Sequence, residues 1–168
     1  KASPAAYNLH AAVLRTRPDI NAAVHTHSPA NLAVSAQQHG LLPLTQQAMR
    51  FYNRIARYPN LTDDTTREGS DQLAVALGDH WTMLLENHGA LVCGKTLPEA
   101  YIYHHFFELA CRAQIGAMSC GTPLRAVPPQ VLEETWNNYQ PSTRRPYGLM
   151  EWPALLRKLD RLDPSYKT

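Results

Sequence analysis

Residues 81–99 of the chain are WTMLLENHGALVCGKTLPE, and they contain the strongest indications of fold class. Two short apolar runs, at 81–85 and 90–94, flank a polar segment and have the length of buried strands. The residues Thr96-Leu97-Pro98-Glu99 then combine a capping box with a proline in the first turn, which predicts the start of a helix. Apolar residues continue this helix to about residue 118. Two strands followed by a long helix indicate a domain in which helices cover a sheet.

Similar signals occur on both sides of this segment. Helix patterns begin at Ser3-Pro4 and Ser28-Pro29, where a capping residue precedes a proline. The sequence patterns predict helices at 4–15, 28–39, 46–55, 70–77, 131–138 and 151–162, a strand at 20–27, an extended run at 41–44, a loop at 58–67 and a linker at 139–148. Strands alternating with helices predict an α/β or α+β domain, and these runs leave the strand order, parallel or antiparallel, open.

The composition restricts the possible partners and the compartment. Sixteen Lys and Arg residues against fourteen Asp and Glu residues give a net charge of +2, too small to indicate binding to nucleic acid or to an anionic membrane surface. No apolar run reaches the ~20 residues that span a bilayer. Three irregularly spaced cysteines favour neither a disulfide framework nor a cysteine-rich zinc site, and they predict a cytoplasmic protein. Because helix signals follow Lys1 without an initiator Met, we expect an upstream section to be missing.

The segment His25-Thr26-His27 is the sharpest chemical feature of the sequence. Residues two apart on a strand point to the same face, with their Cα atoms ~6.7 Å apart. Two imidazoles at that separation can meet at one cation at the usual Zn–N distance of about 2.0–2.1 Å, while Thr26 points to the opposite face. Taken alone, the pattern is common and favours two histidines at the end of a strand that are exposed to water or capped by the backbone.

His88 is the candidate for a third ligand, because it lies between two predicted strands beside Gly89. Glycine lets the backbone approach closely there, so that a neighbouring side chain can project into a cleft. A simple turn histidine is the alternative interpretation. Neither His88 nor the earlier pair decides between a metal site and a structural role by itself.

Two segments together carry a resemblance to a known family. Residues 17–28 (RPDINAAVHTHS) and 84–91 (LLENHGAL), in this order and followed by a capped long helix, resemble the class II aldolase/adducin family. The likeness runs from about residue 3 to 121, and the tail 152–160 (WPALLRKLD) is similar to the adducin-like bacterial branch. The resemblance implies a family domain at 1–122, with its upstream part missing, and a helical tail at 123–168.

The resemblance also implies a fold, a metal site and an assembly. The fold would be a three-layer α/β/α sandwich with a central, largely antiparallel sheet. In the family's sugar-phosphate aldolases three histidines bind zinc at a subunit interface of a ring-shaped tetramer. By position, the ligands in this chain would be His25, His27 and His88, holding a divalent metal, with zinc favoured and manganese or iron as alternatives. We therefore expect a homotetramer and a small-molecule carbonyl or carboxylate substrate, and neither nucleic acid nor a membrane as partner.

The sequence departs from the aldolase pattern at the groups that move protons. The aldolases' glutamate, nineteen residues before the first metal histidine, corresponds to Ala6, and their tyrosine proton donor corresponds to Gln46 or Gln47. An amide is no general acid at neutral pH. The phosphate-binding loop would lie upstream of Lys1. These departures favour a decarboxylase-like lyase over a sugar-phosphate aldolase.

Glu86 is a candidate base or partner for the metal site in place of the missing carboxylate. It lies two residues before His88, so regular strand geometry would put both side chains on one face. A solvent-facing glutamate at a turn is the alternative. Two other functions stay open for the whole chain: a non-catalytic structural or binding module like adducin, and an iron-dependent oxygenase.

The segment 101–107 (YIYHHFF) concentrates aromatic residues on the long predicted helix. His104 and His105 are neighbours in sequence and diverge on a helix, so they cannot both face one cation. The segment therefore predicts helix packing or a contact between subunits.

Overall fold

The computed structural model describes residues 3–59, 66–140 and 143–167. The helices and strands are α1 Pro4–Thr16, β1 Ala22–Thr26, α2 Pro29–Ser35, α3 Gln46–Met49, β2 Ile55–Tyr58, α4 Arg67–Leu77, β3 Thr82–Leu85, β4 Gly89–Gly94, α5 Leu97–Ser119, α6 Pro129–Asn138 and α7 Glu151–Leu162, followed by a 3-10 turn at Pro164–Lys167. No helix in these ranges is long and apolar enough to cross a membrane. Parts of the predicted loop at 58–67 and of the linker at 139–148 lie outside the described residues.

The predicted start of α5 is confirmed in detail. The Thr96 side chain accepts a hydrogen bond from the backbone N–H of Glu99 at 3.2 Å, and the Glu99 carboxylate accepts one from the N–H of Lys95 at 2.9 Å. Pro98 lies in the first turn, where its missing N–H leaves no intrahelical bond unmade. Local sequence alone therefore determines where the longest helix begins.

The sheet has the order β1-β4-β3-β2 and is mixed, so the expected largely antiparallel sheet is wrong. Strand β4 pairs antiparallel with both β1 and β3, whereas β2 pairs parallel with β3. The reason lies in the connections. A short turn joins β3 to β4, which forces them to be antiparallel, while α4 crosses over between β2 and β3 and so returns the chain in the same direction.

The segment around β2 contains the largest error of the sequence prediction. A helix was expected over 46–55, but α3 ends at Met49, and Asn53 then adopts a positive φ of 53° before β2 begins at Ile55. A left-handed residue does not continue a helix. Strand β2 is only four residues long and is recognisable only through its partner, because Ala56 and its neighbours complete hydrogen bonds with β3.

The expected extended run at 41–44 is irregular backbone and forms no strand in the described chain. The side chain of Gln114, buried on α5, takes the place of a partner strand. It accepts a hydrogen bond from the N–H of Leu42 at 2.7 Å and donates to the carbonyl of Gly40 at 2.8 Å. Buried backbone groups need such partners, and a single amide supplies them here.

The buried core consists of two clusters that take alternate residues of β3 and β4. Met83, Leu85 and Leu91 pack with α1 and α4, whereas Leu84, Ala90 and Val92 pack with α2 and α5. This alternation is the period of two expected of a strand with both faces covered. It explains why β3 and β4 are buried at every position.

Candidate metal centre

The candidate ligands meet at one edge of the sheet, where β1 ends and β4 begins. Thr26 is paired with Ala90 in the antiparallel ladder, so the end of β1 lies beside the turn that precedes β4. His25 and His27 lie on either side of Thr26, and His88 lies in that turn. Antiparallel pairing therefore brings together residues that are sixty positions apart in sequence.

The three imidazoles form a compact group. The centroids of the rings are 4.7 Å apart for His25 and His27, 5.2 Å for His25 and His88, and 4.7 Å for His27 and His88. One ligand nitrogen from each ring lies within 4.8 Å of the other two. Within residues 3–59, 66–140 and 143–167, this is the one group of three or more such side chains close enough to hold a metal ion.

Hydrogen bonding and burial prepare His25 to act as a neutral ligand. Its Nδ1 lies 3.1 Å from the carbonyl oxygen of Ala90, which can only accept, so Nδ1 carries the proton and Nε2 keeps its lone pair. That Nε2 lies 2.9 Å from Nε2 of His27. Burial lowers the pKa of His25 to about 4, with the nearby histidines adding to the effect and the Ala90 bond opposing it. The ring is therefore uncharged at neutral pH.

The turn that carries His88 depends on two unusual backbone conformations. Asn87 has a φ of 57° and Gly89 a φ of 141°. A Cβ on Gly89 would overlap the carbonyl oxygen of Thr26 and lie 3.1 Å from Cδ2 of His27. Glycine is thus required for β4 to approach β1 closely enough to place His88 beside the other two rings.

Glu86 lies outside this histidine group. Its carboxylate forms an ion pair with Arg57, at 2.7 Å, on the neighbouring strand β2. The expectation that Glu86 and His88 share a face assumed a regular strand, and it is wrong because the left-handed Asn87 interrupts the alternation. A catalytic role for Glu86 stays a prediction.

The positions that carry proton-transfer groups in the aldolases contain none here. Ala6 is exposed on α1, and Gln46 and Gln47 begin α3. The side-chain oxygen of Gln47 accepts a hydrogen bond from Arg50 at 2.9 Å. On α1, half-buried His10 is near enough to His25 for its charge to lower the pKa of that ring.

Polar side chains of α5 contact the strand that carries His25, and the sequence patterns did not predict these contacts. The side chains of His104 and Glu108 reach from α5 to Thr26 and Ser28 on the opposite side of β1. A histidine and a glutamate four residues apart, on one face of a mostly apolar predicted helix, are the signal that could have revealed them, because the structure buries Glu108 and half-buries His104 there.

The family model for the class II aldolase and adducin N-terminal domain matches residues 1–115. The chain belongs to this family. Membership explains why an H-x-H pair, a following Asn-His-Gly turn and a capped long helix occur together.

Two curated relatives illustrate the range of the family. An aldolase class 2 protein of Pseudomonas aeruginosa is 34% identical over 168 residues, covering 98% of this chain and 65% of that protein. The decarboxylase NovR of Streptomyces niveus is 32% identical over 148 residues, covering 82% of this chain and 54% of NovR. The chain thus spans about half to two thirds of the length of these relatives.

A solved structure shares the whole described architecture. The aldolase II superfamily protein of Pseudomonas syringae superposes with a TM-score of 0.88 at 33% sequence identity. The match covers 98% of this chain and 66% of that one. The mixed sheet and its helices are therefore the fold of the family.

Proposed function

We propose that this protein is a metal-dependent lyase that acts on a C–C bond next to a carbonyl or carboxylate, with decarboxylation favoured over aldol cleavage. The observation that carries the proposal is the convergence of three imidazole nitrogens, all within 4.8 Å of one another, at the edge of the sheet. Three nitrogen ligands leave coordination positions open for a substrate, which is typical of catalytic metal sites.

The residues present fit a divalent metal. Ligand nitrogens of a tetrahedral zinc site with Zn–N distances of about 2.0–2.1 Å lie about 3.3 Å apart. Nε2 of His25 and Nε2 of His27 are 2.9 Å apart, close to that separation, and a ligand nitrogen of His88 lies within 4.8 Å of both rings' ligand nitrogens. Zinc is our first choice and manganese or iron are alternatives, because imidazole suits all three.

His25, His27 and His88 would hold a divalent cation, which would supply Lewis-acid polarisation of a substrate oxygen. The chain itself contributes orientation and access. Ala90 fixes the tautomer of His25, and burial of that ring excludes water from one side. His27 is exposed, so a small molecule can approach the site from its side.

The choice of decarboxylation rests on the proton-transfer groups. Aldol cleavage needs a base to remove a hydroxyl proton and an acid to protonate the resulting carbanion, and each group contributes about 10²–10⁴-fold. Loss of CO₂ from a 3-keto-acid, with or without a hydroxyl on C2, breaks the C1–C2 bond and leaves the electron pair on C2. The adjacent carbonyl stabilises this pair as an enolate, without a base having removed a proton. Water can then deliver one proton to that carbon. Ala6, Gln46 and Gln47 are compatible with this second reaction.

Metal content is the first test of the proposal. We expect one divalent ion per chain by elemental analysis of the purified protein, and its loss in His25→Ala and His88→Ala. His39→Ala is the matched control, because His39 is exposed in a turn after α2 and is not one of the three grouped histidines. Unchanged metal content in both site variants would contradict the site.

Activity is the second test. Metal-loaded protein is assayed for CO₂ release from 3-keto-acids and their 2-hydroxy derivatives and, in parallel, for cleavage of sugar phosphates. We expect CO₂ release that disappears in His88→Ala, and no sugar-phosphate cleavage at an enzymatic rate. Robust aldolase turnover would contradict the preference for decarboxylation. A protein that neither binds metal nor turns over either substrate would instead be a binding module like adducin.

We also propose a cytoplasmic location and the three-layer arrangement of the family. The cytoplasmic location is supported by free cysteines, two of them buried. Burial raises the pKa of Cys93 to about 12 and also raises that of Cys111, so both thiols are unreactive. The three-layer arrangement is supported by the two core clusters on alternate residues of β3 and β4.

A further inference from the structure

Side chains at the end of β1 point alternately to the candidate metal site and to α5. His25 and His27 lie on the face that carries the candidate metal site, and Thr26 and Ser28 alternate with them and contact α5. On α5 the contacting residues are His104 and Glu108, four positions apart, which places them on one face of that helix. Two side chains that are two residues apart, Thr26 and Ser28, therefore contact two side chains that are four residues apart on α5.

The first contact is between Thr26 and His104. Oγ1 of Thr26 lies 2.7 Å from Nε2 of His104. The same Oγ1 accepts a hydrogen bond, at 2.8 Å, from the side-chain amide of Asn31, a fully buried residue of α2. With Asn31 as its donor, the Thr26 hydroxyl can donate its own hydrogen to Nε2 of His104, and the imidazole proton then sits on Nδ1.

The second contact is between Ser28, two residues after Thr26, and Glu108. The hydroxyl of Ser28 donates a hydrogen bond to the carboxylate of Glu108, which also pairs with Arg112 at 3.2 Å. Glu108 is 8% exposed, so this bond operates away from bulk water. Ser28 also caps α2 through the N–H of Asn31. Side chains of α5 therefore hydrogen-bond both hydroxyls, and Asn31 of α2 also contacts both.

We propose that His104 and Glu108 are positioning residues for the metal site, which hold the Thr26 and Ser28 side chains and thereby orient His25 and His27. The hydrogen bonds to α5 are made by Thr26 and Ser28, so the effect is transmitted to the imidazoles through the backbone of residues 25–28. Groups hydrogen-bonded directly to metal ligands contribute 10–100-fold to metal affinity, so we expect partners that act through the backbone to contribute at the lower end of that range. This inference rests on the proposed metal site.

The test uses Co²⁺ as the probe and two substitutions that preserve volume. Thr26→Val removes the hydroxyl, and His104→Phe keeps a ring but removes Nε2. We expect each to weaken Co²⁺ binding, measured by competition with a chelator, by about tenfold, and to alter the visible absorption spectrum of the saturated site. Thr26→Ser retains the hydroxyl and should restore both the affinity and the spectrum.

Two controls separate positioning from general destabilisation. His105→Phe changes the exposed neighbour of His104 on the same helix and should bind Co²⁺ like the natural protein. Gln114→Leu destabilises α5 far from the site and should leave the Co²⁺ spectrum unchanged. If Thr26→Val and His104→Phe fold and match the natural protein in affinity and spectrum, the positioning role is overturned.

Amide hydrogen exchange of β1 in the metal-free protein distinguishes this inference from the proposed function. Faster exchange at Val24 to Thr26 in Thr26→Val and His104→Phe, but not in His105→Phe, supports the positioning role independently of any metal. Failure of the natural protein to bind Co²⁺ would overturn the proposed function alone. Unchanged exchange in both variants would overturn the positioning role.

Discussion

Gly89 is the residue at which a single methyl group most directly affects the candidate site. A Cβ there would overlap the Thr26 carbonyl, and φ of 141° is unfavourable for any other residue. We predict that Gly89→Ala destabilises the fold by about 3 kcal/mol and abolishes metal binding. Urea unfolding and elemental analysis measure the two effects.

Gly116 provides the matched control for that substitution. It lies within α5, and a Cβ built on it meets no atom within 4 Å. Alanine is the better helix former, so Gly116→Ala should stabilise the protein by about 1 kcal/mol and keep its metal. Equal effects of the two substitutions on stability and metal content would show that the close approach of Gly89 to the Thr26 carbonyl does not exclude a larger residue at position 89.

His104 should make the stability of the protein depend on pH. Burial lowers its pKa below the ordinary value of 6.5, with His105 adding to this effect and the Glu108 charge opposing it. The unfolded chain therefore takes up this proton at a higher pH than the folded protein, and stability falls as the pH drops through 6.5. We predict that His104→Gln loses less stability than the natural protein between pH 7.5 and 5 in urea unfolding. Parallel curves would contradict this.

At the scale of elements, α5 organises the irregular segment 37–42 through one side chain. Gln114 is 1% exposed and bonds Gln37, Gly40 and Leu42. We predict that Gln114→Leu destabilises the protein by about 3 kcal/mol, because the N–H of Leu42 and the carbonyl of Gly40 lose their hydrogen-bond partner. Thermal or urea unfolding measures this loss. Gln72→Leu, an exposed change on α4, should alter stability by less than about 0.5 kcal/mol.

The aromatic segment of α5 shows the helix packing that was one of the two alternatives predicted for it. Tyr103 stacks on Phe51 at 4.6 Å and on Tyr147 at 5.4 Å, and Phe107 is fully buried against Phe51. These rings are therefore used within the chain rather than between subunits. Tyr101, 43% exposed, is the tyrosine of the segment that stays available at the surface.

At the scale of the whole molecule, we predict a homotetramer. Helix α7 leaves Leu155, Leu159 and Leu162 exposed along one side, more apolar surface than an isolated helix of a monomer usually presents. Light scattering of the full chain at micromolar concentration should give four times the mass of one chain. A monomer at that concentration would contradict the prediction.

The sequence by itself determined the features that depend on near neighbours. The caps at Ser28 and Thr96, the start of α5 and the bounds of α7 follow from local hydrogen bonding and periodicity. The strand period of two also predicted that the His25 and His27 side chains would lie on one face and the Thr26 side chain on the other. His88 was identified by its Asn-His-Gly context and by the resemblance to a family.

Only the tertiary structure decided the features that depend on distant partners. Strand β2 exists because β3 pairs with it, and its parallel direction follows from the crossover through α4. The pairing of Glu86 with Arg57, and of Thr26 with His104, joins residues that no local pattern connects. Hydrogen bonds and burial across 29 to 78 positions of sequence are set by packing, which acts on the folded chain as a whole.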